Sequence, residues 1–192
     1  MTTESTTSTL HLDARAVKVL AHPLRSRLLS ALRSGGPATA TALAERLGTN
    51  SGATSYHLRK LESIGLVEET GEGHGKERPW RASTDMHSFT QRDVAYDADG
   101  QAAADWLRRH YLRSFLDRYE AWLDDHAAWS LEWQEVADAS DYLLRVSPRR
   151  LAELEAQMRT LMERYRDPDP DDPDALPIEI HLHAFPLGTA PR

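Results

Sequence analysis

Residues 37–69, PATATALAERLGTNSGATSYHLRKLESIGLVEE, constrain the fold more than any other stretch of this chain. They read as two short helices joined by a tight turn, then a strand. Ala42, Leu43 and Leu47 recur at helical spacing, and Gly48 closes that helix because glycine tolerates the left-handed conformation a sharp stop requires. Asn50 follows at an N-cap position, placed to accept from the open amides of the next helix. In that helix Thr54, Leu58 and Leu61 form an inner stripe, while Ser51, Ser55, Tyr56 and Arg59 fall outside it. Gly65 ends it and Leu66-Val67 opens a strand. Small hydroxyls, one aromatic ring and a guanidinium suit a helix that enters a DNA major groove. They suit a helix packed only against a core much less well.

Upstream, His22-Pro23 separates helices over 13–21 and 24–34, since proline cannot continue a helix and disfavours helical geometry before it. Strands near 66–70 and 78–83 flank a hairpin loop in which Gly71, Gly73 and Gly75 give the backbone freedom. That loop would be a wing beside the second helix.

The segments VKVLAHPLRSRLLSAL (17–32), ALAERLG (42–48), TSYHLRKLESIGLVEE (54–69) and GEGHGKERPW (71–80) together resemble the ArsR-like group of bacterial winged helix-turn-helix transcriptional regulators. The resemblance covers about residues 12–84 and is carried by the combined pattern, since a lone helix-turn-helix is weak evidence. It implies a cytoplasmic homodimer whose partner is double-stranded DNA at a (pseudo)palindromic operator. On that reading Ser51 sits at the N-terminal end of the reading helix next to its cap Asn50, with Ser55 and Tyr56 one turn on, all able to reach base edges or phosphates. Arg59 suits phosphate or guanine, Lys60 the flanking backbone, and Gly52 leaves room where the duplex comes closest. His57 fits a packed, hydrogen-bonded side chain better than a base reader. His74, Lys76 and Arg78 in the wing suit a phosphate or the minor groove, although Glu72 and Glu77 beside them keep a merely solvated loop in view. The plainer alternative for the whole segment is a winged-helix module that contacts protein.

The formal net charge of −7 looks wrong for a DNA binder until it is divided. Residues 10–92 carry 12 Lys/Arg against 8 Asp/Glu, whereas residues 93–192 carry 11 against 21. Such asymmetry lets phosphates approach one end only. The chain has no cysteine, which excludes disulfides, thiolate metal sites and the Cys-based metal box of many regulators in the resembled group. No apolar run approaches the ~20 residues of a membrane span. The polar start MTTESTTSTL reads as a flexible arm, neither a signal peptide nor a transit peptide.

Beyond the reading head, residues 85–99 read as a linker and 101–125 as one long helix. Ala103, Trp106, Leu107, Tyr111, Phe115, Tyr119 and Trp122 form one apolar stripe of it, and Leu112, Leu116 and Leu123 widen the face. A helix apolar over this much of its circumference is buried by more than one neighbour, here its own reading head and a second subunit. Trp106, Tyr111, Leu112, Phe115, Leu116 and Tyr119 are therefore the candidate dimerisation residues. The aromatic run through Trp129 and Trp133 would also suit a pocket for an unidentified small-molecule effector, though core and interface explain it with less. Residues 140–146 favour a strand, Ser147-Pro148 starts a helix, and IEIHLHAF (178–185) alternates as a half-buried strand does.

His181 and His183, two apart on that strand, invite a histidine-based metal-responsive repressor as an alternative, but a polar strand face explains them more simply. The paired Asp/His and His/Glu sets that some regulators of the resembled group carry on the long helix are not found at matching spacing. The acidic DPDPDDPD (167–174) lacks the turn glycine and terminal glutamate of a calcium loop and reads as linker. No phosphate-cradling glycine motif, Gly-x-Ser-x-Gly elbow or His-Glu-x-x-His helix is present, so no enzyme, metal or cofactor is expected. The expected architecture is mainly helical α+β: an arm (1–11), a winged helix-turn-helix (12–84), a linker (85–99), and a long helix with a small strand-helix-strand domain (100–192) for dimerisation or sensing.

Overall fold

The computed structural model describes residues 9–73, 78–84, 86–137, 139–165, 172 and 174–189. The chain divides into two compact units, Met1–Asp117 and Arg118–Arg192.

The first unit opens with β1 (Thr9–His11), α1 (Ala14–Leu20) and α2 (Pro23–Gly35). Asp13 caps α1 by accepting from the Ala16 amide at 2.7 Å, and His22 caps α2 through Nδ1, with Pro23 in the first helical position where no amide is missed. β2 (Ala38–Thr39), α3 (Ala40–Leu47), α4 (Ser51–Glu62), β3 (Val67–Glu69) and β4 (Pro79–Ala82) follow. The strands form one antiparallel sheet in the order β2-β4-β3, with Val67 opposite Ala82 and Ala38 opposite Trp80. Leu20, Leu28, Leu43, Leu58, Leu61, Leu66 and Val67 are wholly buried together, so helical and strand periodicities converge on one core.

Residues 85–99 are more than the linker their composition suggested. β5 (Met86–Ser88) pairs in parallel with β1, α5 (Gln91–Val94) follows, and α6 (Ala98–Asp125) has already begun at Ala98. Leu12 and Val94 are fully buried, and His11 bonds Asp93 at 2.9 Å, so the chain start and this segment stabilise each other. Of the expected arm, residues 1–8 lie outside the described residues, and Thr9–His11 form β1. Ala104 and Leu107 anchor α6 in the core, with Trp106 and Tyr111 packed against it.

In the second unit α6 ends and is followed by a 3-10 turn (His126–Ala128), α7 (Leu131–Val136) and α8 (Pro148–Arg164). Ser147 caps α8 as its sequence implied, accepting from the Arg150 amide. The strands expected at 140–146 and 178–185 do not form. Extended segments gain stability only from a ladder partner and a covered face. Here Ile178, Ile180 and Leu182 stay 54–61% exposed, while Glu179 is gripped by Arg118 at 2.5 and 2.6 Å. The result is a mainly helical α+β protein whose C-terminal part, among the described residues, is helix and irregular chain rather than strand-helix-strand.

Candidate nucleic-acid interface

The turn between α3 and α4 follows from three residues. Gly48 adopts the left-handed conformation at φ 64° and ψ 42°, so its amide and that of Thr49 close the end of α3. Asn50 then caps α4, its Oδ1 accepting from the Ala53 amide at 2.8 Å. The buried Thr54 hydroxyl donates to the Asn50 carbonyl at 3.0 Å, which satisfies a polar group inside the core.

With Thr54, Leu58 and Leu61 locked inward, the outer face of α4 is set by helical geometry. Asn50, Ser51, Gly52, Tyr56, Arg59 and Lys60 are exposed and Ser55 is half-exposed. Tyr56, 57% exposed, carries the Lys60 ammonium 5.5 Å from its ring centre, so cation–π attraction pre-orders both. A methyl group at Gly52 would meet only the Asn50 side chain, at 3.4 Å. Space inside the chain therefore does not require glycine there.

Behind this face lies a cluster absent from the sequence-derived site. The His57 ring sits 4.4 Å from that of His22, and Arg25 approaches His57 Nδ1 at 3.4 Å. Arg25 also donates through Nε to the Val19 carbonyl. Burial first, then the Arg25 charge for His22 and the His22 and Arg25 charges for His57, lowers both imidazoles below their ordinary pKa. The cluster ties the start of α2 to the middle of α4, and His57 is a packing residue. His22 before Pro23 was a visible cap signal; its meeting with His57 was not.

In the wing, Glu68 pairs with Arg81 at 2.8 Å and Glu69 with Arg78 at 3.3 Å. Arg78 is thus partly neutralised at the base of the hairpin, its side chain still 55% exposed. His74 and Lys76 lie outside the described residues.

A second polar cluster joins the reading head to α6. Arg33 donates to the Thr84 carbonyl at 3.0 Å and to His87 Nδ1 at 2.8 Å. With Nδ1 accepting, the neutral ring carries its proton on Nε2 and donates to the Tyr111 hydroxyl at 2.9 Å. Burial, reinforced by Arg33, pushes His87 down to about 4, and burial pushes the Tyr111 phenol up. Trp106 packs on the same core and stacks on His110 at 4.7 Å. Leu112 and Leu116 stay 43% and 44% exposed, with Phe115 and Tyr119 half-buried beside them.

Residues 20–70, from the end of α1 to the strand after α4, match the helix-turn-helix domain family. The chain contains a helix-turn-helix domain. Among solved structures it is similar to the homodimeric winged helix-turn-helix DNA-binding domain of a possible ArsR-family regulator from Mycobacterium bovis, at 29% identity over 48% of this chain and 77% of that one, with a TM-score of 0.32. A crystal structure of a fragment from the same organism gives 29% identity, 48% and 89% coverage, and a TM-score of 0.33. An ArsR-like transcriptional regulator from Rhodococcus sp. RHA1 is similar at 25% identity over 62% of this chain and 96% of its own, with a TM-score of 0.30. No curated protein matches the chain. Among the described residues no helix is long and apolar enough to cross a membrane.

Proposed function

We propose that this DNA-binding regulator acts in the cytoplasm as a homodimer on a (pseudo)palindromic operator, each subunit laying α4 in the major groove. Ser51, Ser55, Tyr56 and Arg59 meet base edges or phosphates there, Asn50 and Lys60 hold the flanks, and Gly52 admits the closest approach of the duplex. His74, Lys76 and Arg78 of the wing contact the neighbouring backbone or minor groove. The observation that carries this reading is the division of α4: its inner stripe is wholly buried while a hydroxyl, aromatic and cationic face stands open. The dimer reading is supported by Leu112, Leu116 and Leu123, whose spacing makes one exposed apolar line on α6, each 43–44% exposed. Residues 12–84 remain the reading head, and the C-terminal part serves dimerisation or the sensing of a small-molecule effector.

The test is equilibrium binding to genomic fragments selected by the protein, measured across a salt series. Phosphate neutralisation predicts that log affinity falls linearly with log salt, by roughly 0.9 per neutralised phosphate. A helix-turn-helix used only for protein contacts would select no fragment and show no such slope.

A further inference from the structure

α8 carries an apolar seam that the described residues cover only in part. Leu151, Leu154, Met158, Leu161 and Tyr165 follow one another at spacings of 3, 4, 3 and 4 residues, the a/d alternation of a coiled coil. None of the helix is buried: Leu161 is 44% and Tyr165 72% exposed, and Leu151, Leu154 and Met158 are half-covered. With Leu151 at a, the flanking positions are Arg150 at g and Glu155 at e. In a parallel two-stranded pair, g of one helix lies beside e of the next heptad on the other. Arg150 of each copy would then face Glu155 of the other, at two symmetry-related places. Within its own helix Arg150 pairs with Glu153 at 2.7 Å, a surface contact that the pair with Glu155 of the second copy would replace. Antiparallel pairing would move Arg150 and Glu155 apart by about 10 Å or more and set nothing opposite in charge beside either.

We propose that α8 docks in parallel register on α8 of a second copy of this chain, with Leu151, Leu154, Met158 and Leu161 as the shared seam and Arg150–Glu155 pairs fixing orientation. At 17 residues the helix is too short to hold a dimer alone, so the contact adds to the one proposed on α6 and rests on the homodimer reading.

The chain has no cysteine, so single cysteines in the full-length protein report cleanly. A disulfide needs Cα atoms roughly 4.4–6.8 Å apart, a condition a d position meets across a parallel two-fold. Leu154→Cys should give a linked dimer on oxidation, whereas Ala152→Cys, on the opposite side of α8, should not. Leu116→Cys reports the α6 contact separately. Linkage through Leu116→Cys without Leu154→Cys would overturn the α8 contact and leave the dimer standing. A chain that sediments as a monomer would remove both, while DNA binding by the reading head is scored independently. A charge swap covers the case of a cysteine variant that folds poorly, since both residues are exposed. Arg150→Glu should raise the dimer dissociation constant roughly five- to thirtyfold by setting like charges opposite each other twice. Adding Glu155→Arg should restore it. A double variant no tighter than the single one would refute the parallel register.

Discussion

His87 links the reading head to α6, and the link should loosen with acid. Its ring accepts from Arg33 and donates to Tyr111, an arrangement available only to the neutral imidazole. Protonation would set an N–H and a positive charge against a guanidinium 2.8 Å away. In the unfolded chain the same residue titrates near 6.5, against about 4 when folded. Above pH 6.5 both states are neutral and His87 contributes no pH dependence. Between 6.5 and 4 the unfolded chain binds a proton the folded one refuses, so stability falls as pH falls. A gap of roughly 2.5 units at about 1.4 kcal/mol per unit gives a loss of about 3 kcal/mol across that window. His22 and His57 shift in the same direction, so the comparison must be with a variant. His87→Gln retains an oxygen to accept from Arg33 and an amide to donate to Tyr111 but does not titrate. Denaturant unfolding from pH 7.5 to 4.5 should show a shallower decline for the variant, the two curves separating by about 2–3 kcal/mol at the acid end. Parallel curves would show that His87 is not held neutral by this network.

Other consequences concern the groups proposed to face DNA and the proposed dimer interface. Gly52→Ala should leave the fold intact or gain up to about 0.5–1 kcal/mol by helix propensity, yet weaken operator binding; unfolding and fluorescence-anisotropy titrations of one preparation separate these effects. Glu69→Ala should release Arg78 and steepen the salt dependence of binding, whereas Lys76→Ala with Arg78→Ala should flatten it by roughly one unit of slope for each phosphate left without its cation, with matched and random DNA affected alike. Leu112→Glu with Leu116→Glu should convert the dimer to monomer in light scattering, because both leucines are exposed in the single chain.

What was legible in the sequence was what neighbouring residues decide. Gly48, Asn50 and the Thr54–Leu58–Leu61 stripe lie within fourteen residues, and their structure follows from local propensity and periodicity. The β1–β5 pairing and the Arg33–His87 contact join residues 77 and 54 positions apart, through short segments without a periodic pattern. Composition there suggested a linker because two or three buried side chains, Leu12 and Val94 among them, were enough to order it. IEIHLHAF is the opposite case. Its alternation is real, but alternation states only that one face needs cover, and in the single chain that face is open. Arg78 illustrates a third limit: its charge is plain in sequence, its Glu69 partner across the hairpin is not.

The central claim is that the outer face of α4 reads bases. It is tested most directly by measuring the affinities of the parent, Tyr56→Ala and Arg59→Ala against a panel of operators changed one base pair at a time. Both side chains are exposed, so stability should move by roughly 0.5 kcal/mol or less. Each variant should lose roughly 1–3 kcal/mol on the intact operator and become indifferent to the base at one position per half-site. Variants that bind as the parent does, with the same preference at every position, would mean that α4 is not the reader.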